Sequence, residues 1–197
     1  MDSEDLIGLV TKGIKKNFPD ISYHNLLELA QYTEIIQVPK KKEIIKKDQY
    51  YGKIVFVVSG LFRAYYKYED IENTFWFREE FTVFASHRSI LSNKPSSITY
   101  QAIEDSVVAV IDYSFLKKMA EKDADSAKSI IVVLEGLVLE LIERIEDFIT
   151  LNPDQRYECF KEKHGNIVSR VPQQYIASFI GITPVSFSRL KSRNMSK

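Results

Sequence analysis

The chain has 197 residues, with 27 Lys and Arg balanced by 27 Asp and Glu, 45% hydrophobic residues and a single cysteine. That length suits one large domain or one medium and one small domain, and the ordinary apolar fraction excludes disordered and collagen-like classes. No apolar run approaches the roughly 20 residues that span a bilayer. The start Met1-Asp2-Ser3-Glu4-Asp5 is too acidic for a secretory leader, and Cys159 alone supports neither a disulfide framework nor cysteine-ligated zinc. The expectation is a cytoplasmic protein with no membrane partner.

Residues 1–33 read as helical: Leu6, Leu9 and Val10 mark a short apolar face, Pro19 breaks it, and Ser22 can cap a second helix through Leu26, Leu27, Leu29 and Ala30. From Glu34 the pattern turns to short β-branched and aromatic runs. These are Ile35–Val38, Glu43–Ile45, Ile54–Val58, Leu61–Tyr66, Thr74–Phe77, Ile98–Ala102 and Val107–Ile111, separated by turn residues such as Pro39, Ser59-Gly60 and Glu69-Asp70. Many short strands at regular spacing predict a sandwich or barrel-like roll. Its aromatic residues, Trp76 among them, suit core filling.

After Tyr113 the period is helical again. Ile130, Leu134, Leu137, Leu141, Ile145 and Phe148 recur at spacings of three and four, with Glu135, Glu140, Glu143, Arg144, Glu146 and Asp147 on the remaining face. A helix of about 25 residues is ~37 Å long, too long to pack on one small roll. Leu134, Leu137, Leu141, Ile145 and Phe148 are therefore expected to meet the same helix of a second copy. Asn152-Pro153-Asp154 ends the pattern and marks a domain boundary.

Neutral overall charge conceals an asymmetry. Residues 152–197 hold eight basic groups and three acidic ones, an excess of five, so residues 1–151 carry minus five; no carboxylate follows Glu162. A basic block beside an acidic body suits a polyanion-binding module. Within it, Pro172 can open a helix and Gly181 can end it, while Thr183 is a good N-cap and Pro184 a good first helical residue. Two short helices joined by a three- to four-residue turn form a helix-turn-helix. Ile176, Phe179, Ile180, Ile182, Phe187 and Leu190 can share its core, and Ala177 allows close crossing. The outward face of the second helix carries Val185, Ser186, Arg189, and Lys191 or Arg193, with its first turn aimed at base edges in a major groove. Arg189 suits bidentate contact with guanine. Ser178, Ser186 and Ser188 suit phosphate or base contacts, and Gln173 and Gln174 suit the DNA backbone.

On these residues the chain resembles the Crp/Fnr family of bacterial transcription regulators. Ile54-Val55-Phe56-Val57-Val58-Ser59-Gly60-Leu61-Phe62-Arg63 resembles the family's strand–glycine–strand element, Asn152-Pro153-Asp154-Gln155-Arg156-Tyr157 its hinge and helix opening, and Val171–Leu190 its helix-turn-helix. The resemblance implies an α+β fold with an N-terminal antiparallel, jelly-roll-like β-roll, a long dimerisation helix at about 124–150, and a C-terminal winged-helix-type helix-turn-helix. The domains would be 1–151, cyclic-nucleotide-binding-like, and 152–197, DNA-binding. Any wing must precede Pro172, near Ile167-Val168. It also implies a homodimer on a two-fold symmetric duplex site, with RNA polymerase a further partner. The family's base-reading positions fall at Pro184, Val185 and Arg189. Val185 departs from the Glu common there, so the operator sequence does not transfer.

The family's cyclic-nucleotide sensors carry a Gly-Glu pair for ribose and an Arg-Ser or Arg-x-Ala element for the cyclic phosphate. Here Phe81–Ala85 replaces the first, and Ser96 stands in the place of the phosphate Arg. A hydroxyl cannot replace the charge-assisted fork of a guanidinium, so cAMP binding is not expected. Phe84, His87, Arg88, Ser96 and Ser97 remain candidates for another small-molecule effector or for none. No cofactor or metal is expected: Cys159, read as a small buried hydrophobe, is alone, and His24, His87 and His164 have no ligand spacing. The leading reading is non-enzymatic. A cupin-like roll enzyme and a protein-interaction module without DNA binding are the alternatives.

Overall fold

The computed structural model describes Gly8, Gly13 and residues 23–195. The expected first helix at Leu6, Leu9 and Val10, the break at Pro19 and the Ser22 cap fall outside the described residues. From there the chain runs through helix α1 (Tyr23–Gln31) into strands β1 (Glu34–Val38), β2 (Glu43–Ile45), β3 (Lys53–Ser59), β4 (Phe62–Tyr68) and β5 (Ile71–Arg78). Strand β6 (Val83–Ala85), helix α2 (His87–Ser92), and strands β7 (Thr99–Ala102) and β8 (Ser106–Asp112) complete the roll.

All seven expected strands are present, and together with β6 they form two four-stranded sheets in the orders β1-β8-β3-β6 and β2-β7-β4-β5. The pairings β1/β8, β3/β8, β3/β6 and β2/β7 are antiparallel. Val55 lies opposite Val110 and Phe56 opposite Ala109. Alternate residues point to opposite faces of a strand, so Val55, Val57, Val108 and Val110 share one face and Phe56, Val58 and Ala109 the other. Both faces are covered. Val55, Val57 and Val108 are fully buried, and Phe56, Val58 and Ala109 pack with Phe81, Val83 and Val107. Double-sided burial explains why β3 reads as a continuous apolar run rather than an alternating one.

Two elements escaped the sequence reading. β6 is only three residues long, and it is held by pairing with Ile54–Phe56. α2 is a single short helix defined by its caps: Ser86 Oγ accepts from Ser89 N, and Asn93 adopts the left-handed conformation (φ 52°). At the β3–β4 turn, Gly60 has φ 104°, and a Cβ there would lie 2.7 Å from the Ser106 Cα, so the turn requires glycine. β2 is an edge strand flanked by the exposed Lys40, Lys41, Lys42, Lys46 and Lys47, a charge pattern that discourages edge-to-edge pairing.

The helical stretch after the roll divides in two, α3 (Tyr113–Lys122) and α4 (Ala124–Thr150). The break is Asp123, in extended conformation. Its carboxylate accepts from Ser126 N and Ser126 Oγ, each at 2.8 Å, and from Asn25 Nδ2 at 2.7 Å. It therefore caps the new helix, and these bonds, those from Ser126 foremost, hold its pKa below the usual carboxylate value. α4 has 27 residues, about 40 Å at 1.5 Å per residue.

Three helices follow: α5 (Pro153–His164), α6 (Gln173–Phe179) and α7 (Pro184–Met195). The expected wing near Ile167-Val168 is absent among the described residues. Residues 165–170 are turns, and their backbone is satisfied locally, Ile167 N by His164 O (3.0 Å) and Val171 N by Ile167 O (3.0 Å), while the Ile167 and Val171 side chains are buried. The segment is thus a plug of the helical core, with no ladder to form a hairpin.

Two compact units result. One comprises the residues up to Ala64 and Phe77–Gly136; the other comprises Tyr65–Trp76 and the chain from Leu137 onward. The boundary expected at 151/152 coincides with the junction of α4 and α5, whereas the compact grouping divides within α4 and takes in the hairpin end of β4–β5. Among the described residues no helix is long and apolar enough to cross a membrane.

Candidate nucleic-acid interface

The local chemistry of residues 152–190 sets each helix end. Asn152 and Gln155 form a reciprocal capping box at the start of α5, Gln155 N donating to Asn152 Oδ1 (3.1 Å) and Asn152 N to Gln155 Oε1 (3.0 Å), with Pro153 following. α6 ends at Gly181 (φ 77°) in a Schellman motif: Ile182 N donates to Ala177 O (3.0 Å) and Gly181 N to Ser178 O (3.1 Å). Thr183 Oγ1 accepts from Ser186 N (3.2 Å) and caps α7, which Pro184 opens.

Ile176, Ala177, Phe179, Ile180, Phe187 and Leu190 are buried together with Tyr157 and Phe160 of α5; Ile182 is only half-buried. Tyr157 meets Phe187 edge-on at 5.0 Å, and Phe160 lies 5.3 Å from Phe179. With Phe187 and Leu190 turned inward, the opposite arc of α7 is exposed and presents Val185 (62% exposed), Ser186, Ser188, Arg189 and Ser192. No carboxylate occurs on α7. Gln173 and Gln174 are exposed in the first turn of α6. This arrangement can enter a groove of polyanionic duplex.

Two expected contacts have partners within the protein. Ser178 is half-buried, and its hydroxyl accepts from Thr74 N (2.8 Å) and donates to Glu72 O (3.1 Å), so it is engaged within the protein rather than offered to DNA. Arg193 pairs with Asp154 at the start of α5 (3.2 Å), and Lys191 is half-buried at the margin of the exposed arc. Cys159, expected to be buried, is half-buried because it lies beside rather than within the Tyr157–Phe160 seam.

The sequence reading passed over two arginines. Arg144 Nη2 donates to Phe179 O (2.7 Å), and Arg156 donates through Nε to Ile180 O (2.8 Å) and through Nη1 to Leu151 O (2.7 Å). Both guanidiniums thus sit at the C-terminal end of α6, where cations favour the helix dipole. The Arg144 guanidinium lies 3.7 Å from the Phe179 ring centroid and 4.9 Å from that of Phe148, and Arg156 flanks the Phe148 ring at 4.8 Å. Burial pushes the Arg144 pKa down to about 10, with Asp147 opposing and Arg156 reinforcing the shift; the group stays charged at neutral pH. The periodicity assigned Arg144 to the solvent face of α4, and its only sequence signal is its place among apolar neighbours.

α4 contains no buried residue. Of the expected pairing residues, Leu134, Leu141, Ile145 and Phe148 are exposed and Leu137 is half-buried. Phe148 also serves its own chain, between the two arginines and against Gly181. The exposed apolar residues further include Ile131, Val138, Ile142 and Ile149, so the exposed apolar surface is wider than those five positions.

Two of the effector candidates are engaged within the fold. Phe84 is buried, stacked on Tyr100 at 4.3 Å and tilted against Phe62 at 5.2 Å, which makes it core. Ser96 is buried with its hydroxyl donating to Ile98 O (2.7 Å), which commits it to the loop backbone. Ser97 is half-buried and Arg88 exposed. His87, half-buried, opens α2. The roll instead buries two arginines not singled out in the sequence, Arg63 and Arg78; Arg63 donates to Gln101 Oε1 through Nε (3.1 Å) and Nη2 (2.8 Å). Among the described residues no group of three or more His, Cys, Asp or Glu side chains could hold a metal ion.

Residues 35–123 match the family described as Cyclic nucleotide-binding domain. No curated protein sequence matches the chain. Among solved structures, the fold is shared with FixK2 from Bradyrhizobium japonicum (19% identity over 83% of this chain and 85% of that chain, TM-score 0.74). It is shared also with a CooA variant from Carboxydothermus hydrogenoformans (20%, 91% and 82%, TM-score 0.68). A third is CLP, a c-di-GMP responsive global regulator of Xanthomonas campestris (11%, 89% and 92%, TM-score 0.68). At 20% identity or less, these three likenesses are likenesses of fold.

Burial, and then the neighbouring Arg78, hold the His87 pKa below its ordinary value of 6.5. The unfolded chain therefore binds more protons than the folded one between the folded value and 6.5. The stability involved is present above about pH 6.5 and is lost as pH falls through that window. The melting temperature of the wild type should thus rise between pH 5 and pH 7 by more than that of His87→Gln, as measured by differential scanning calorimetry; equal increments would contradict the assignment.

Proposed function

We propose that this protein is a non-enzymatic, homodimeric, sequence-specific DNA-binding transcription regulator of the Crp/Fnr type, whose β-roll is a sensor or former sensor that does not take cAMP. The observation that carries this reading is α7: capped at its start, anchored by Phe187 and Leu190, and presenting Val185, Ser186 and Arg189 on an exposed, acid-free face. Such a helix fits a major groove, with Arg189 positioned as a bidentate reader worth about 1–3 kcal/mol of base discrimination. A cytoplasmic location follows from this role. Specific binding should appear in gel shifts with fragments selected from random DNA and weaken steeply with salt. Arg189→Ala should reduce discrimination between selected and random duplex about 5- to 100-fold; absence of any duplex binding would end the proposal.

Dimerisation rests on the apolar stripe of α4, where Leu134, Val138, Leu141, Ile142 and Ile145 are all exposed in the single chain. Helices with apolar residues three and four apart pair to cover them, and a two-fold dimer sets two recognition helices about 34 Å apart on successive major grooves. Leu134→Glu combined with Ile145→Glu should give a monomer in sedimentation velocity; an unchanged mass would exclude this surface.

The reading against cAMP rests on Ser96, whose hydroxyl is bonded to its own loop, and on Phe84, whose ring fills the core. Neither group supplies positive charge for a cyclic phosphate. Isothermal titration with cAMP should show no binding, and a dissociation constant of about 1 µM or tighter would refute it.

A further inference from the structure

β5 forms an edge of its sheet, in the order β2-β7-β4-β5, so one side of the strand has backbone groups with no partner strand. On a strand, the N–H and C=O directed to one side come from alternate residues. Residues 72 and 74 supply such a pair, and Ser178 of α6 occupies both: Thr74 N donates to Ser178 Oγ (2.8 Å), and Ser178 Oγ donates to Glu72 O (3.1 Å). One hydroxyl, acting as acceptor and donor together, thereby closes a stretch of open edge. The seat is sealed: the Thr74 side chain is only 3% exposed, and Phe75 packs on Tyr66 edge-on at 5.6 Å with the Arg144 guanidinium 5.9 Å from its ring. Arg144 in turn holds Phe179 O, one residue beyond Ser178.

We propose that Ser178 is a positioning residue: its hydroxyl docks the first helix of the helix-turn-helix on the edge of β5, making the hairpin end of β4–β5 part of the DNA-reading unit. In this docked arrangement the exposed arc of α7 is unobstructed, with Val185 and Arg189 open, so docking prepares the recognition helix rather than masking it. A wing is not needed to brace the helix pair, because the strand pair that continues from the roll braces α6.

The effect on DNA rests on the function proposed above; the docking itself does not. Backbone amide exchange in the DNA-free, full-length chain should therefore be measured by NMR for wild type, Ser178→Ala and Ser178→Thr, together with duplex affinity. Alanine suits a helix, so α6 should persist in Ser178→Ala. In this variant Thr74 N–H should exchange about tenfold faster or more, and affinity for the selected duplex should fall about three- to tenfold, as expected for two lost hydrogen bonds. Its dependence on salt should not change, because no phosphate contact is removed. Ser178→Thr keeps the hydroxyl and should restore both. Unchanged Thr74 exchange in Ser178→Ala overturns the docking. Faster exchange with equal or tighter DNA binding overturns the positioning role. Should the wild type bind no duplex, the proposed function alone fails, and the Thr74 exchange rates still decide whether Ser178 docks α6.

Discussion

The C-terminal unit depends on how the carbonyl end of α6 is held. The last carbonyls of a helix have no partner within the helix, and here Phe179 O and Ile180 O accept from two guanidiniums. The aromatic ring of Phe148 lies 4.9 Å from one guanidinium and 4.8 Å from the other, which offers each a cation–π contact. Arg144 belongs to α4 and Arg156 to α5, so one helix end gathers three helices. The turn to α7 begins at the next residue, Gly181, where a Cβ would sit 2.8 Å from the Phe148 ring. The orientation of α7 is thus set by charge and ring contacts gathered at the end of α6.

This division of labour explains the charge distribution. The basic residues of the last 46 positions are not equivalent. Arg156 and Arg193 work inside the protein or across its surface, one on backbone carbonyls and one on Asp154, and Lys163 pairs with Glu143 at 2.9 Å. Pairing with Glu143, and with the adjacent Asp147, raises the Lys163 pKa. Arg189, by contrast, is exposed on α7 with no ion pair among the described residues. Net charge identified the region as cationic; geometry distinguishes cations that build the unit from Arg189, which stands exposed on α7.

Much of the architecture was legible because it depends on local signals. Short β-branched and aromatic runs, Gly60 at a turn, the Asn152-Pro153 start and the Gly181–Thr183–Pro184 sequence each act on backbone geometry within a few residues. What could not be read was set by distant partners. Strand β6 exists through its pairing with β3. Ser178 looked like a DNA contact because its two hydrogen bonds lie more than one hundred residues away in sequence. Arg144 matched a solvent face by period, yet tertiary packing turned it inward. Phe84 and Ser96 were selected by alignment of function rather than by surroundings, and the structure places Phe84 in the core and bonds Ser96 to its own loop.

The length of α4 that no residue of its own chain buries has a consequence beyond assembly. A newly made copy carries a wide apolar stripe that water does not tolerate well, so the solitary state should be scarce wherever copies are plentiful, and folding stability becomes a function of abundance. Pairing through such a stripe would not sense the quality of the helix-turn-helix beyond it. In the dimer proposed above, a copy with a spoiled α7 would still sequester a sound one, and the mixed pair would hold half a grip on the proposed two-fold site. Damage to one allele's reading head would then spread through the pool in proportion to the share of subunits it supplies.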